Sequence, residues 1–305
     1  MDIDQLIAFE RIVREGSFSR AAWALTIAQP TISARIQALE QELGGPLFAR
    51  NSRRISLTAL GASFLPYARR AIGVLNEGVA AARLAHSGQR GRIAVGGLGS
   101  LAHGLFGPTL AHFHSSHPQV ECYMRAADHV QIIELLYDGV IDMGLITWPC
   151  LDPLLADLTP LLYLREPVVF VVPKNHPLAR RDTVTQADIL EWGDPFLKLR
   201  WWQATHVSVA RLATRAKSVA DVPMEVARYL VLHGIGIGFF THTLIAEDLA
   251  AGNIMALAVA DLSPIYRDCA FVRLTRNTAL DPAELDFVAS LREQAERMGL
   301  LAEEL

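Results

Sequence analysis

The chain has 305 residues, 51% of them hydrophobic and 20% charged, with a net charge of −4. That fits an ordinary folded globular protein of about two domains. Cys122, Cys150 and Cys269 form no CxxC pair, which argues against a disulfide frame or a zinc site. The Met1-Asp2-Ile3-Asp4 start lacks a basic segment before an apolar run, and no stretch is long enough to span a bilayer. A reduced, cytoplasmic protein with no membrane partner is expected. The charge is divided unevenly. Residues 1–90 hold 11 Arg against 7 acidic residues, whereas residues 91–305 hold 17 basic and 25 acidic ones. A basic module on an acidic body suits a polyanionic partner for the first part alone.

Leu6, Ile7, Phe9, Ile12 and Val13 recur at helical spacing, so residues 4–14 read as an amphipathic helix. Glu15-Gly16 stops it, and Ser17 caps a second helix over 18–25 with Phe18, Ala21, Ala22 and Leu25 inward. A third helix runs from Gln29 to about Leu43 with Ile32, Ile36, Leu39 and Leu43 inward; Pro30 is tolerated in its first turn. Gly44-Gly45 ends it. Residues 46–57 read as a two-stranded wing carrying Arg50, Arg53 and Arg54. Thr58 can cap a long helix whose apolar residues Leu65, Ala68, Ile72, Leu75, Val79 and Ala82 alternate in steps of three and four. That seam predicts self-association.

Residues 87–91 read as a hinge, and strands then alternate with helices. Strands are expected at 93–97, 120–125, 142–147, 168–172 and 235–240. Helices are expected at about 101–116, 129–139, 185–191, 205–215, 222–233 and 283–298. This alternation predicts a mostly parallel, doubly wound sheet. About 215 residues is long for one sheet, so two α/β lobes with a cleft between them fit better.

Two short helices joined by a tight turn, with small Ala21 and Ala22 at their crossing, predict a helix-turn-helix. Its second helix presents Gln29, Thr31, Ser33, Arg35 and Gln37 away from the core. Gln can pair with adenine, and Ser or Thr can reach phosphates. The wing arginines Arg50, Arg53 and Arg54 suit phosphates or the minor groove. Ser19 and Pro30 complete the candidate DNA-binding set.

These residues carry a resemblance. Gln5-Leu6, Phe9, Gly16-Ser17-Phe18-Ser19, Ala21-Ala22, Leu25, Gln29-Pro30, Ser33, Ile36, Leu39-Glu40, Leu43-Gly44, Leu47-Phe48, Arg50, Leu57-Thr58 and Gly61 together resemble the DNA-binding domain of LysR-type transcriptional regulators. His176-Pro177-Leu178-Ala179 and Gly234-Ile235-Gly236-Ile237 resemble the family's effector-domain signatures. Ala28 departs from the pattern, standing where a capping Ser is common. Leu60 replaces an Ala, and Thr241 a Pro.

The resemblance implies an α+β multidomain chain: a winged helix-turn-helix (1–58), a dimerising linker helix (59–87) and a two-lobed, periplasmic-binding-protein-like effector domain (88–305). Lobe I would span about 92–161 and 266–305, and lobe II about 162–265. It also implies a homodimer or homotetramer on an inverted-repeat promoter site, with RNA polymerase as a further candidate partner.

The cleft residues expected from strand ends and from the resemblance are Gly99, Ser100, Leu101, Asp128, Thr147, Trp148, Phe196, Trp201, Trp202 and Thr241. Free N–H groups at the start of the 101–116 helix would favour a carboxylate. The aromatic residues would favour an effector with an apolar ring. Asp128 has a second reading, as a helix cap.

Rival readings are weaker. Gly234, Gly236 and Gly238 lie after a helix and inside a strand, with no Gly-rich helix entry, so they make a poor dinucleotide fingerprint. His112, His114 and His117 point partly outward with no nearby Cys. Neither an enzyme nor a cofactor is expected. A solute-binding protein would match residues 92–305 but would lack the helix-turn-helix.

Overall fold

Asp2 starts the first helix, α1 (Ile3–Glu15), through a capping box. Its side chain accepts from Gln5 N–H while Gln5 bonds back to Asp2. Gly16 ends α1 in the left-handed region, at φ 58°. Ser17 caps α2 (Phe18–Ala24), and α3 (Gln29–Leu43) follows. Between them Thr26 is held at φ 56°, and its neighbour Ile27 donates to Ala22 O at 3.0 Å. That tight turn fixes the crossing of α2 and α3. Ala28 gives α3 no side-chain cap, as its apolar side chain requires.

The structure is a computed structural model and describes residues 1–49, 55–87, 91–150, 158–201, 206–275 and 280–303. The chain divides into two compact units, Met1–Gly88 with Tyr137–Gly139, and Gln89–Leu136 with Val140–Leu305.

In the first unit Leu6, Phe9, Ile12, Ala21, Ala22, Ile32, Ile36 and Leu39 form the predicted core. The Phe48 ring closes it, 5.5 Å from both Phe9 and Phe18. Phe48 forms an antiparallel bridge with Leu57, the described root of the expected wing. Arg50, Arg53 and Arg54 lie outside the described residues.

The linker helix is α4 (Ala59–Ser87). Thr58 Oγ1 accepts from Gly61 N–H at 3.0 Å and donates to Pro46 O at 2.6 Å. Gly61 is a point of close approach, where an added Cβ would fall 2.2 Å from Leu47 O. Backbone cannot yield as a flexible side chain can. Gly61→Ala is therefore expected to destabilise this unit by about 1–3 kcal/mol. A thermal unfolding curve of the variant that overlays the parent would contradict this.

The stripe read as one seam divides in two. Leu65 and Ala68 are 6% and 1% exposed, inside the core of the first unit. They are not available to a partner, which corrects that part of the expectation. Ile72 is half-buried against the same core. Only from Leu75 onward does the stripe reach the surface. The cause is length: α4 packs its first turns on α1 before extending.

The second unit begins with β1 (Arg92–Leu98), α5 (Gly99–Leu101), a π turn (Ala102–Phe106) and α6 (Gly107–Ser116). Next come β2 (Glu121–Ala127), α7 (His129–Tyr137), β3 (Met143–Thr147) and the long β4 (Leu158–Pro173). Then follow β5 (Thr183–Val184), α8 (Gln186–Trp192), β6 (Phe196–Lys198), α9 (Val207–Arg215), β7 (Val219–Asp221) and α10 (Met224–Leu232). The chain continues through β8 (Ile237–Thr241), α11 (His242–Ala250), β9 (Ile254–Val259), β10 (Ile265–Leu274), α12 (Pro282–Arg297) and β11 (Leu301–Ala302).

The main strand order is β2-β1-β3-β10-β4-β8-β6-β7. At one end β1 pairs in parallel with β2 and β3; at the other β6 pairs in parallel with β7 and β8. Between them β4 and β10 run antiparallel from Ile265↔Val168 to Leu274↔Leu158. The first half of β4 belongs to lobe I. Its second half pairs with β8 and β9 in lobe II. The sheet is therefore mixed, a correction to the mostly parallel one predicted. Two α/β lobes share a long antiparallel centre.

His176 caps a short 3₁₀ turn at Pro177–Arg180, its Nδ1 accepting from Leu178 N–H at 3.3 Å. Burial pushes its pKa down, which keeps the ring neutral and able to accept.

Candidate functional site

The first surface lies on α2 and α3. Ile32, Ile36 and Leu39 point inward every three to four residues, so the intervening positions of α3 must face out. Gln29, Pro30, Thr31 and Gln37 are exposed, as is Ser19 on α2; Ser33 and Arg35 are half-buried. Arg35 Nη2 lies 2.6 Å from Asp4 Oδ2 at the start of α1. That pair holds the guanidinium against the domain, and an incoming phosphate would compete with Asp4 for it. Behind α1, the buried Glu10 carboxylate takes Arg14 at 2.7 Å and Arg69 of α4 at 3.6 Å. The linker helix is thus tied to the domain by charge as well as by packing.

The second surface is the exposed stretch of α4. Leu75 and Val79 are 49% and 44% exposed, and Ala82 is exposed with them. Tyr67, Ala71, Val74 and Gly78 line the same shallow apolar groove.

The third site lies between the lobes. In lobe I, parallel pairing brings the ends of β1, β2 and β3 to one edge, where Ser100, Asp128 and Thr147 stand. In lobe II, parallel pairing likewise groups the ends of β6, β7 and β8. Ligands of open α/β sheets bind at such carboxyl ends. The two edges meet. A Cβ at Gly99 would lie 3.7 Å from Glu225 Oε1, and one at Gly104 would lie 3.0 Å from Thr243 Cγ2. His103 Nε2 reaches Glu247 Oε1 at 3.2 Å.

The predicted residues fare differently. Ser100 is buried, and its Oγ has no hydrogen-bond partner among the described residues. Thr241 Oγ1 and Trp201 Nε1 are in the same condition. Gly99 is exposed, and Leu101 is buried beside Ser100. Asp128 is exposed and accepts from Gln131 N–H at 2.9 Å, so it does cap its helix. Thr147 is buried and bonded to His129 Nδ1 at 2.9 Å. Trp148 is half-buried, 6.1 Å from the Tyr163 ring. Trp202 lies outside the described residues.

Phe196 is a correction. Its side chain is fully buried in the lobe II core, 6.5 Å from Phe239, and cannot line a cleft. β7 and β8 pair with the two edges of the short β6, and α9 packs against it, so Phe196 lies in the lobe II core.

Sequence reasoning missed a buried ion pair at the crossing strands. Glu166 on β4 and Arg267 on β10 are register partners, each 1% exposed, and their side chains bond directly. Glu166 Oε1 also accepts from Thr243 N–H at 3.0 Å, in the first turn of α11. The only signal was charge inside two otherwise apolar segments, Arg165-Glu166 and Arg267-Asp268.

A helix-turn-helix joined by a long helix to a two-lobed α/β domain defines a ligand-responsive transcriptional regulator. Residues 3–62 match the model for the bacterial regulatory helix-turn-helix of the lysR family, and residues 86–296 match the LysR substrate binding domain. The chain belongs to the LysR family of transcriptional regulators. It is 32% identical over 198 residues to the uncharacterized HTH-type transcriptional regulator YnfL of Escherichia coli K12, a match covering 65% of each chain. It is 31% identical to a probable RuBisCO transcriptional regulator of Cyanidioschyzon merolae, covering 86% of this chain and 88% of that one. Among solved structures, a full-length OxyR variant from Pseudomonas aeruginosa superposes with a TM-score of 0.59 at 21% identity, covering 100% of this chain and 99% of that one. The relatives are named as regulators, and this chain is a DNA-binding regulator rather than an enzyme. No described helix is long and apolar enough to cross a membrane.

Proposed function

We propose that the protein works in the cytoplasm as a homodimer, or a tetramer built from dimers. It reads an inverted-repeat promoter site and responds to a small molecule held between the lobes. The exposed apolar stretch of α4 carries the oligomer reading. A single helix presenting Leu75, Val79 and Ala82 to water gains from pairing with its own copy. Two copies then present two α3 helices, and half-sites about 34 Å apart, or a multiple, would suit them. Gln29, Thr31, Ser33 and Gln37 would meet base edges or phosphates; Ser19, Pro30, Arg35, Arg50, Arg53 and Arg54 would frame the backbone contacts.

For the effector, Ser100, Thr241 and Trp201 each hold a buried donor with no described partner. Such groups favour a ligand rich in acceptors, such as a carboxylate. Gly99 and Leu101 flank Ser100, and Asp128, Thr147, Trp148 and Trp202 would complete the rim, with the Trp rings suited to an apolar part. Footprinting the DNA beside the protein's own gene, with and without candidate carboxylates, tests the reading. A protected inverted repeat whose pattern shifts with one compound is expected, and Gln29→Ala with Thr31→Ala should blur its base preference. Protection that ignores sequence, or that persists unchanged at high salt, would refute the reading, because phosphate contacts release counterions.

A further inference from the structure

The three thiols sit in unlike surroundings. Cys269 on β10 is fully buried, and burial pushes its pKa up to about 12. Cys122 on the edge strand β2 is exposed, with its pKa raised by partial desolvation and by the adjacent Glu121. Both groups remain protonated near neutral pH. Cys150 follows β3, is partly exposed, and has a base beside it. Its Sγ lies 4.0 Å from His129 Nε2, and His129 Nδ1 lies 2.9 Å from Thr147 Oγ1. Thr147 is itself 2% exposed, so the ring is held from a fixed point.

We propose that Cys150 is a nucleophilic site that captures soft electrophiles, specifically carbonyl-activated alkenes, with His129 as its base. The chemistry follows from the chain of three side chains. Neutral His129 donates Nδ1–H to Thr147 Oγ1, which leaves the Nε2 lone pair facing the thiol. The S–H proton passes to Nε2. The resulting imidazolium keeps both N–H groups bonded, one to Thr147 and one to the thiolate, which favours the ion pair. The thiolate adds to the β-carbon of the alkene. A C–S bond forms as the C=C π bond breaks, and the electron pair moves onto the α-carbon through the carbonyl. The proton on Nε2 then returns to that α-carbon, restoring neutral His129. The sum is an addition, with nothing oxidised or reduced.

Asp128 is adjacent to His129 in sequence and exposed, and its Oδ1 accepts from Gln131 N–H. On β10, Asp268 accepts Trp148 N–H through its carbonyl, while its carboxylate is taken by Arg165 at 2.8 and 3.1 Å. The capture is covalent and does not depend on the reversible effector proposed above.

The test exposes the full-length protein to limiting N-ethylmaleimide and follows labelling of each cysteine peptide by mass spectrometry. Cys150 should label about tenfold or more faster than Cys122 near pH 7, with Cys269 unlabelled. His129→Gln should slow Cys150 by about tenfold and leave Cys122 unchanged, and Thr147→Val should slow it by less. Cys269 reports on the fold, because labelling there would mean that the variant has opened. The wild-type pH–rate profile then decides alone: reactivity at Cys150 should persist at pH values where that of Cys122 has fallen away. Equal rates and parallel profiles for Cys150 and Cys122, or a His129→Gln protein that is folded and equally reactive, would overturn the proposal.

Discussion

Glu166→Ala should lower the stability of the effector unit by about 3–5 kcal/mol, among the largest effects of any single substitution in this chain. The carboxylate is buried, bonds to the Arg267 side chain, and caps the start of α11 through Thr243 N–H. Its removal strands the guanidinium in a dry site. Arg267 already has one buried group, Nε, with no described partner, so little remains to compensate the lost charge. The cost arises from a lone charge more than from a lost attraction. The double variant Glu166→Leu with Arg267→Met should therefore recover most of the loss, because neither charge then needs water. Urea unfolding followed by tryptophan fluorescence would measure both. A single variant within about 1 kcal/mol of the parent, or a double variant worse than the single, would contradict the account.

Leu75→Asp combined with Val79→Asp should dissociate the oligomer and weaken operator binding by about 10²–10⁴-fold. Both side chains are about half exposed on α4, so the charges should leave the fold of the first unit intact. Two like charges facing their copies across a symmetric interface repel and would have to be desolvated. The second recognition helix then binds as an independent molecule rather than a tethered one. Sedimentation and a mobility-shift titration would record the two changes together. Leu65→Ala offers the contrast. That residue lies in the domain core, and its loss should cost about 2–5 kcal/mol of domain stability while leaving the exposed stripe in place. An unchanged sedimentation coefficient for the Asp variant would place the interface elsewhere.

These two cases show what the sequence made legible. The helix-turn-helix could be read because Ile32, Ile36 and Leu39 keep strict spacing and the caps stand where helices begin. The stripe on α4 kept its spacing too, but spacing does not distinguish a residue that meets its own domain from one that meets a partner. Leu65 and Leu75 look alike in sequence and differ only in what the fold puts beside them. The crossing strands were harder. β10 was not predicted, and only the end of β4 was. Arg165, Glu166 and Pro167 interrupt the apolar pattern of one, and Arg267 and Asp268 that of the other. Buried charge reads as surface until its partner, about a hundred positions away, is known.

The residues that open helices after β1 and β2 were legible, because strand ends announce themselves through Gly99-Ser100 and Asp128-His129. The thiol, imidazole and hydroxyl at Cys150, His129 and Thr147 were not joined in advance. Two of them follow different strands, and only parallel pairing through β1 brings those ends together.

The shared centre of the sheet also bears on how the molecule is made. Lobe I needs β10, α12 and β11, which leave the ribosome only after the lobe II segments between β4 and β9. Lobe II, apart from the β10 edge, is encoded between the two halves of its neighbour. A nascent chain therefore holds an unfinished first lobe, with the β4 edge open, while the second is being synthesised. Early truncation after lobe II should leave a protein with a bare strand, poorly soluble and open to self-pairing.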